Sequence, residues 1–176
     1  IFQKEGNRIQ RWIQQARFPT LKTLEGFDFS YQPTINKKQI QDLASCRFIE
    51  NTENIIFLGP PGVGKTHLSI AIGLEAIQKG FEVKFLTLAK FINTVEKLTN
   101  NQQSTKRLLS AMLGPDLLIL DEVDIYETDI HANNLLFEIL YKRYEKNSTI
   151  FTSNKPFSEW NKLFGGQTRM EMILDR

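Results

Sequence analysis

At 176 residues, 41% of them hydrophobic, the chain is long enough for one domain with a real core, and a net charge of +2 excludes a strong field towards a polyanion. Cys46 is the single cysteine, which excludes an internal disulfide and a cysteine cluster for zinc and suits a reducing compartment, the cytoplasm. No apolar run approaches the roughly 18 residues of a membrane span and no signal segment is apparent, so no membrane partner is expected.

The charge is uneven along the chain. The first fifty residues carry eight Lys and Arg against five acids, and the last fifty-six carry seven against ten. A basic front end permits contact with nucleic acid, although solvated helix faces are the simpler reading. Residues 4–17 fit a helix in which Ile9, Trp12, Ile13 and Ala16 fall at i, i+3, i+4 and i+7 as a core stripe. Lys4, Arg8 and Arg11 line a neighbouring face, and Pro19 ends the segment. "FPTLKTLEGFDFSYQP" follows, with two prolines, a glycine and four aromatics, and reads as an extended arm lying on the domain. A second helix opens at Asn36, with Gln39 as a capping partner, and runs through Ile40, Leu43 and Ala44.

From Asn54 onwards strands alternate with helices. "NIIFL" reads as a buried strand, residues 65–79 as a helix stopped by Gly80, and "EVKFLT" as a second strand. One helix carries Phe91, Ile92, Val95 and Leu98, and another Leu108, Leu109, Met112 and Leu113. "LLILDE" is a third strand, residues 132–145 a long helix, "STIFTSN" a fourth strand and residues 157–164 a short helix. The expected fold class is therefore α/β, a parallel sheet covered by helices on both faces, with a short N-terminal helical arm. Ligands of such sheets bind at the carboxyl ends of the strands. The chain opens with Ile1 and stops inside the apolar pattern "MILDR", as a piece of a longer protein would.

The chemistry gathers at those strand ends. Gly59, Gly64, Lys65 and Thr66 complete the pattern G-x-x-x-x-G-K-[ST] directly after a strand and before a helix. Gly59, Gly62 and Gly64 let the backbone turn with its N–H groups pointing inward at phosphate oxygens, and Pro60 and Pro61 stiffen the approach. The stretch Gly59, Pro60, Pro61, Gly62, Val63, Gly64, Lys65, Thr66 and His67 is thus the expected nucleotide-binding segment. In it Lys65 reaches the outer phosphates and the Thr66 hydroxyl ligates Mg²⁺. His67 is expected to pack or hydrogen-bond beside the cradle without a catalytic role. "LLILDE" ends in adjacent carboxylates: Asp121 for the Mg²⁺ shell and Glu122 to polarise an attacking water, the alternative being an ordinary strand-end acid. Asn154, ending "FTSN", is placed to hold that water or sense the γ-phosphate, or else is a turn residue. "SNKPF" lacks the aspartate of a guanine-reading N-K-x-D, having Phe157 there, so ATP is preferred to GTP.

"GPPGVGKTHLSIAIGLEAI", "LLILDE" and "TIFTSN" together resemble the AAA+ ATPases of the helicase-loader and replication-initiator clade. The arm "LEGFDFSYQP" and "STIFTSNKPFSEWNKLFG" narrow the resemblance to the IstB-like helper ATPases of insertion-sequence transposition, over nearly the whole chain from about Arg17. The resemblance implies a homo-oligomer that assembles with ATP on duplex DNA and directs a transposase. It also implies an arginine that completes a neighbouring subunit's site, for which "ILDR" suggests Arg176, with Arg169 a weaker candidate that reads more simply as a solvated helix face. Residues 1–35 would then be the helix and arm leading from a further N-terminal domain, and residues 36–176 the AAA+ ATPase domain, short of a fifth strand that relatives carry. Adenine is expected beside the arm, near Phe27–Phe29, and Lys4, Arg8 and Arg11 are the candidate DNA contacts. The chain departs from the family's Gly-Tyr-Leu-Pro turn after Glu122, having the acidic "VDIYETDIH", and His131 there reads as a helix-start residue. A helicase loader and a small-molecule kinase are the rival readings.

Overall fold

In the computed structural model, residues 2–98, 102–124, 130–164 and 166–174 are described. Strands β1 (Ile55–Leu58), β2 (Val83–Thr87), β3 (Leu117–Asp121) and β4 (Ser148–Ser153) form one parallel sheet in the order β1-β4-β3-β2. Parallel neighbours need crossovers, and helices supply them: α4 (Lys65–Gln78) leads from β1 to β2, α5 (Leu88–Glu96) and α6 (Gln102–Leu113) from β2 to β3, and α7 (Ile130–Arg143) from β3 to β4. The two central strands, β3 and β4, are buried along their whole length, as apolar or hydroxyl-bearing runs covered on both faces must be. The expected parallel sheet is present.

Strand alternation divides the core in two. Leu117 and Ile119 of β3 face α4 together with Val83, Phe85 and Ile150, and Ile70, Ile72 and Ile77 of the helix pack on them. Leu118 and Leu120 face the other way, onto Phe91 of α5, Met112 of α6, Leu136 and Ile139 of α7, and Trp160 of α8 (Phe157–Phe164). Helix α4 approaches its face closely. A Cβ on Gly73 would stand 2.9 Å from Ile119 Cδ1 and 3.0 Å from Phe18 Cζ, so glycine sets this spacing.

Helix α1 (Phe2–Ala16) packs against β2 and α4, with Ile9, Trp12 and Ile13 half-buried and Ala16 fully buried, as the stripe predicts. Arg17, at φ 63°, turns the chain into the arm, which has no helix or strand before α2 (Lys37–Leu43). Asn36 caps α2 by accepting the Gln39 backbone N–H at 3.1 Å. Helix α3 (Arg47–Glu50) is an element the sequence pattern does not announce; it follows Cys46, whose φ of 65° breaks the chain direction. Helix α7 runs from Ile130 to Arg143, two residues earlier at both ends than expected, and α9 (Gln167–Leu174) follows α8. The expectation of a buried strand at "NIIFL" needs correction: among the described residues β1 pairs with β4 alone, and while Ile55 is buried, Leu58 is 43% exposed.

Candidate nucleotide-binding site

The cradle loop joins β1 to α4 at the carboxyl end of the sheet. Gly62 (φ 82°) and Gly64 (φ 95°) hold left-handed backbone that residues with a Cβ rarely adopt. No side chain caps α4 at Gly64, so its first-turn N–H groups face the loop with the helix dipole behind them. A Cβ on Gly62 would meet nothing within 4 Å, whereas one on Gly64 would overlap the ring of Phe27. Gly64 therefore serves two needs, the turn and the docking of the arm.

Lys65 Nζ donates to Gly59 O (2.8 Å), Pro60 O (2.8 Å) and Asn154 Oδ1 (2.7 Å). Its three ammonium protons thus have three acceptors at the mouth of the cradle. Burial pushes its pKa down, while the carboxylates of Asp124, Asp121 and Glu122, in that order, push back. The Thr66 hydroxyl donates to Asp121, with Oδ1 at 2.9 Å and Oδ2 at 3.1 Å, which joins the start of α4 to the end of β3. Thr152, beside Asp121 on β4, donates its hydroxyl to Asp121 Oδ1 at 2.5 Å. Its oxygen in turn accepts the Glu122 backbone N–H at 2.9 Å. Asp121 is 3% exposed and Glu122 is exposed, so the adjacent acids occupy opposite environments. Glu122 also holds φ 54°, a strained conformation for a side chain of its size. A cleft of about 270 Å³ opens between Pro61, Gly62, Lys65, Thr66, Glu122 and Asn154.

These residues suit a phosphate chain with a divalent cation. The loop and helix end offer backbone N–H groups, and Thr66 and Asp121 offer two hard oxygen donors side by side. Among the described residues no group of three or more His, Cys, Asp or Glu could hold a metal by itself. A cation here would draw the rest of its shell from phosphate and water, as Mg²⁺ does.

The structure brings Gly64, Lys65, Thr66, Glu122 and Asn154 to one cleft, with Gly59 and Asp121 hydrogen-bonded to Lys65 and Thr66 beside it. His67 lines the same cleft but engages the arm. Its Nε2–H donates to Thr23 O at 2.8 Å, and its ring meets Phe27 edge-on at 5.2 Å, so it fastens the arm while lining the cleft. Phe27 and Phe29 lie 4.8 Å apart between centroids, beside the start of α4. Arg169, on α9, packs against α7 of its own chain, 4.7 Å above the Phe137 ring and 3.2 Å from Asn134 Oδ1. Arg8 and Arg11 are exposed on α1, Arg8 5.2 Å from the Trp12 ring. Arg176, the Lys4 side chain and residues 125–129 of the acidic stretch lie outside the described residues.

Two site residues escaped the sequence reading. Thr152 lies next to Asp121 because Leu120 pairs with Phe151 in the β3–β4 register. Asp124 accepts the Asn154 backbone N–H at 3.0 Å and its side-chain Nδ2–H at 2.9 Å. The string "DEVD" carries the signal for Asp124, but only strand pairing says what it faces.

The family model of IstB-like ATP-binding proteins matches residues 2–176. The chain is 44% identical over 164 residues to the ATP-binding protein of insertion sequence IS21 from Pseudomonas aeruginosa, which covers 93% of this chain and 62% of that protein. It is 38% identical over 176 residues to the ATP-binding protein of insertion sequence IS5376 from Geobacillus stearothermophilus, covering 100% and 70%. The chain thus spans between 62% and 70% of the length of these two relatives. Among solved structures it is similar to DnaI, with a TM-score of 0.70, 19% identity and coverage of 91% and 88%. It is also similar to AMPPCP-bound DnaA from Aquifex aeolicus, with a TM-score of 0.68, 24% identity and coverage of 90% and 49%. These likenesses carry the fold, a parallel sheet covered by helices, and the match along the sequence carries the membership: the chain belongs to the IstB-like ATP-binding protein family.

Proposed function

We propose that this chain is the ATPase domain of a transposition helper, which hydrolyses Mg²⁺-bound ATP in the cytoplasm, assembles as a homo-oligomer on duplex DNA and directs a transposase to its target. The observation that carries the reading is the convergence of cradle, paired acids and Asn154 on one cleft. Its membership of a family whose relatives belong to insertion sequences supports the transposition context.

Bound Mg²⁺-ATP supplies a γ-phosphoryl group open to attack by water, with the cation drawing off developing charge. The chain's residues do the rest. The N–H groups of the loop and of the α4 N-terminus hold phosphate oxygens. Lys65 exchanges the carbonyls of Gly59 and Pro60 for phosphate oxygen, keeping its charge where negative charge accumulates. Thr66 and Asp121 hold the cation, Glu122 accepts the proton of the attacking water at its carboxylate, and Asn154 orients that water or the terminal phosphate. Phe27–Phe29 flank the adenine, and Arg176, with Arg169 the weaker candidate, completes a neighbouring site.

Light scattering by the intact protein, with and without ATP and duplex DNA, tests this beside Glu122→Gln. We expect larger assemblies that require both ATP and duplex and that persist longer in Glu122→Gln, where hydrolysis is slowed. A protein that stays monomeric throughout overturns the assembly reading and returns the cradle to a small-molecule kinase. Capture of a replicative helicase in place of a transposase would make it a helicase loader.

A further inference from the structure

Resting on the ATPase reading above, we infer that Asp124 is a positioning residue for this site: its carboxylate fixes the amide of Asn154 so that Oδ1 faces Lys65. The geometry leaves little choice. Asp124 Oδ1 accepts the Asn154 backbone N–H (3.0 Å) and the Ser153 hydroxyl (3.0 Å), and Oδ2 accepts Asn154 Nδ2–H (2.9 Å). At the other end of the same amide, Lys65 Nζ donates to Oδ1 at 2.7 Å. A carboxylate can only accept and an ammonium can only donate, so the orientation of the amide between them is dictated by its two neighbours.

Asp124 is itself held. Its backbone N–H donates to Glu122 O at 2.7 Å, and the Ser153 hydroxyl that reaches its Oδ1 also lies 2.8 Å from Val123 O. The ends of β3 and β4 are thereby tied together around Asn154. Three charged or polar groups follow one another, Asp124 carboxylate, Asn154 amide and Lys65 ammonium, each bond of the charge-assisted kind. Asp124 also heads the carboxylates that favour the charged form of Lys65. Without it, the Asn154 side chain loses the acceptor that opposes rotation about its terminal bond. A rotated amide would present Nδ2–H to the ammonium, donor to donor. In this positioning role Asp124 works through Asn154, beside the direct electrostatic support it gives the Lys65 ammonium.

The test is a double-mutant cycle in the intact protein. With ATP as substrate we expect Asp124→Ala to lower kcat about tenfold while KM changes less than about twofold, the signature of lost positioning rather than lost binding. Asn154→Ala should lower kcat by at least as much, and Asp124→Ala in that background should add nothing. Losses that multiply, or an unchanged kcat in Asp124→Ala, overturn the inference. A second readout needs no turnover: the side-chain amide of Asn154 in nucleotide-free protein, followed by ¹⁵N NMR. The two Nδ2 protons should be well separated in the parent, one lying on the carboxylate, and should draw together in Asp124→Ala. An amide signal that does not change in Asp124→Ala overturns the positioning role. If the parent hydrolyses no ATP and the amide still responds, the ATPase reading fails while the positioning stands, so the two failures are distinct.

Discussion

The Arg143 guanidinium, 1% exposed, donates to the carbonyls of Met112, Pro115, Asp116 and Ser148 and to the Thr149 hydroxyl. One planar fork thus ties α6, the turn before β3 and the first residues of β4, at the end of the sheet opposite the cradle. Burial pulls its pKa down to about 10, against the opposing pull of Asp116, and it stays charged at neutral pH. Arg143→Met would leave those carbonyls without donors, at about 1 kcal/mol or more each, so we expect urea unfolding to report a loss of about 3–5 kcal/mol. Arg143→Lys should fall between, since a lysine brings three donors and no fork. A Met variant within about 1 kcal/mol of the parent would remove this account of the buried cation. Nothing in the string "YKRYEK" sets Arg143 apart from Lys142, which is exposed and pairs with Glu138 at 2.5 Å. Helix phase decides between them. Lys65, Thr66 and Asp121 were legible because their spacing and their strand and helix context are local, whereas the contacts of Asp124 and Thr152 depend on the register of β3 against β4.

At the scale of elements, the start of α4 and the arm form one unit. The Phe27 ring lies where a Gly64 side chain would be, and His67 of the helix reaches Thr23 O of the arm. Gly64→Ala therefore meets two obstacles, a φ of 95° and the Phe27 ring. We expect it to destabilise the fold by about 1–2 kcal/mol and to weaken ATP binding at least tenfold, because a cradle that cannot hold its turn misaims its N–H groups. Titration with a fluorescent ATP analogue, beside urea unfolding, reads both effects. A Gly64→Ala variant that binds as the parent does would mean that the left-handed turn is dispensable. The same titration on Phe29→Ala reads the arm's part in adenine recognition, and unchanged affinity would take Phe29 out of that subsite. Most elements were legible because their apolar periods are strong. That β1 has β4 as its one strand neighbour among the described residues was not, because an apolar run says that a strand is covered and not how many strands flank it. Helix α3 is too short to show a period at all.

For the molecule as a whole, electrostatics limits how it can meet DNA. The net charge of +2 on this chain gives no long-range attraction to a duplex, so a contact made by these residues would come from local cations. Helix α1 offers Arg8 and Arg11 on its exposed side, while its apolar stripe is turned to β2 and α4. Arg8 also lies beside the Trp12 ring, which steadies its side chain without removing its charge. If these cations lie on phosphates, each contact releases about 0.9 of a counterion, and the slope of log affinity against log salt flattens by that amount when one is neutralised. For the intact protein with ATP and a duplex, Arg8→Gln with Arg11→Gln should flatten the slope by about two while leaving sequence preference unchanged, since phosphate contacts position without reading bases. Affinity measured across a salt series gives the answer directly. A slope that stays as it was would move the duplex contact off α1, and would leave the basic first fifty residues as the solvated face that their composition already allows.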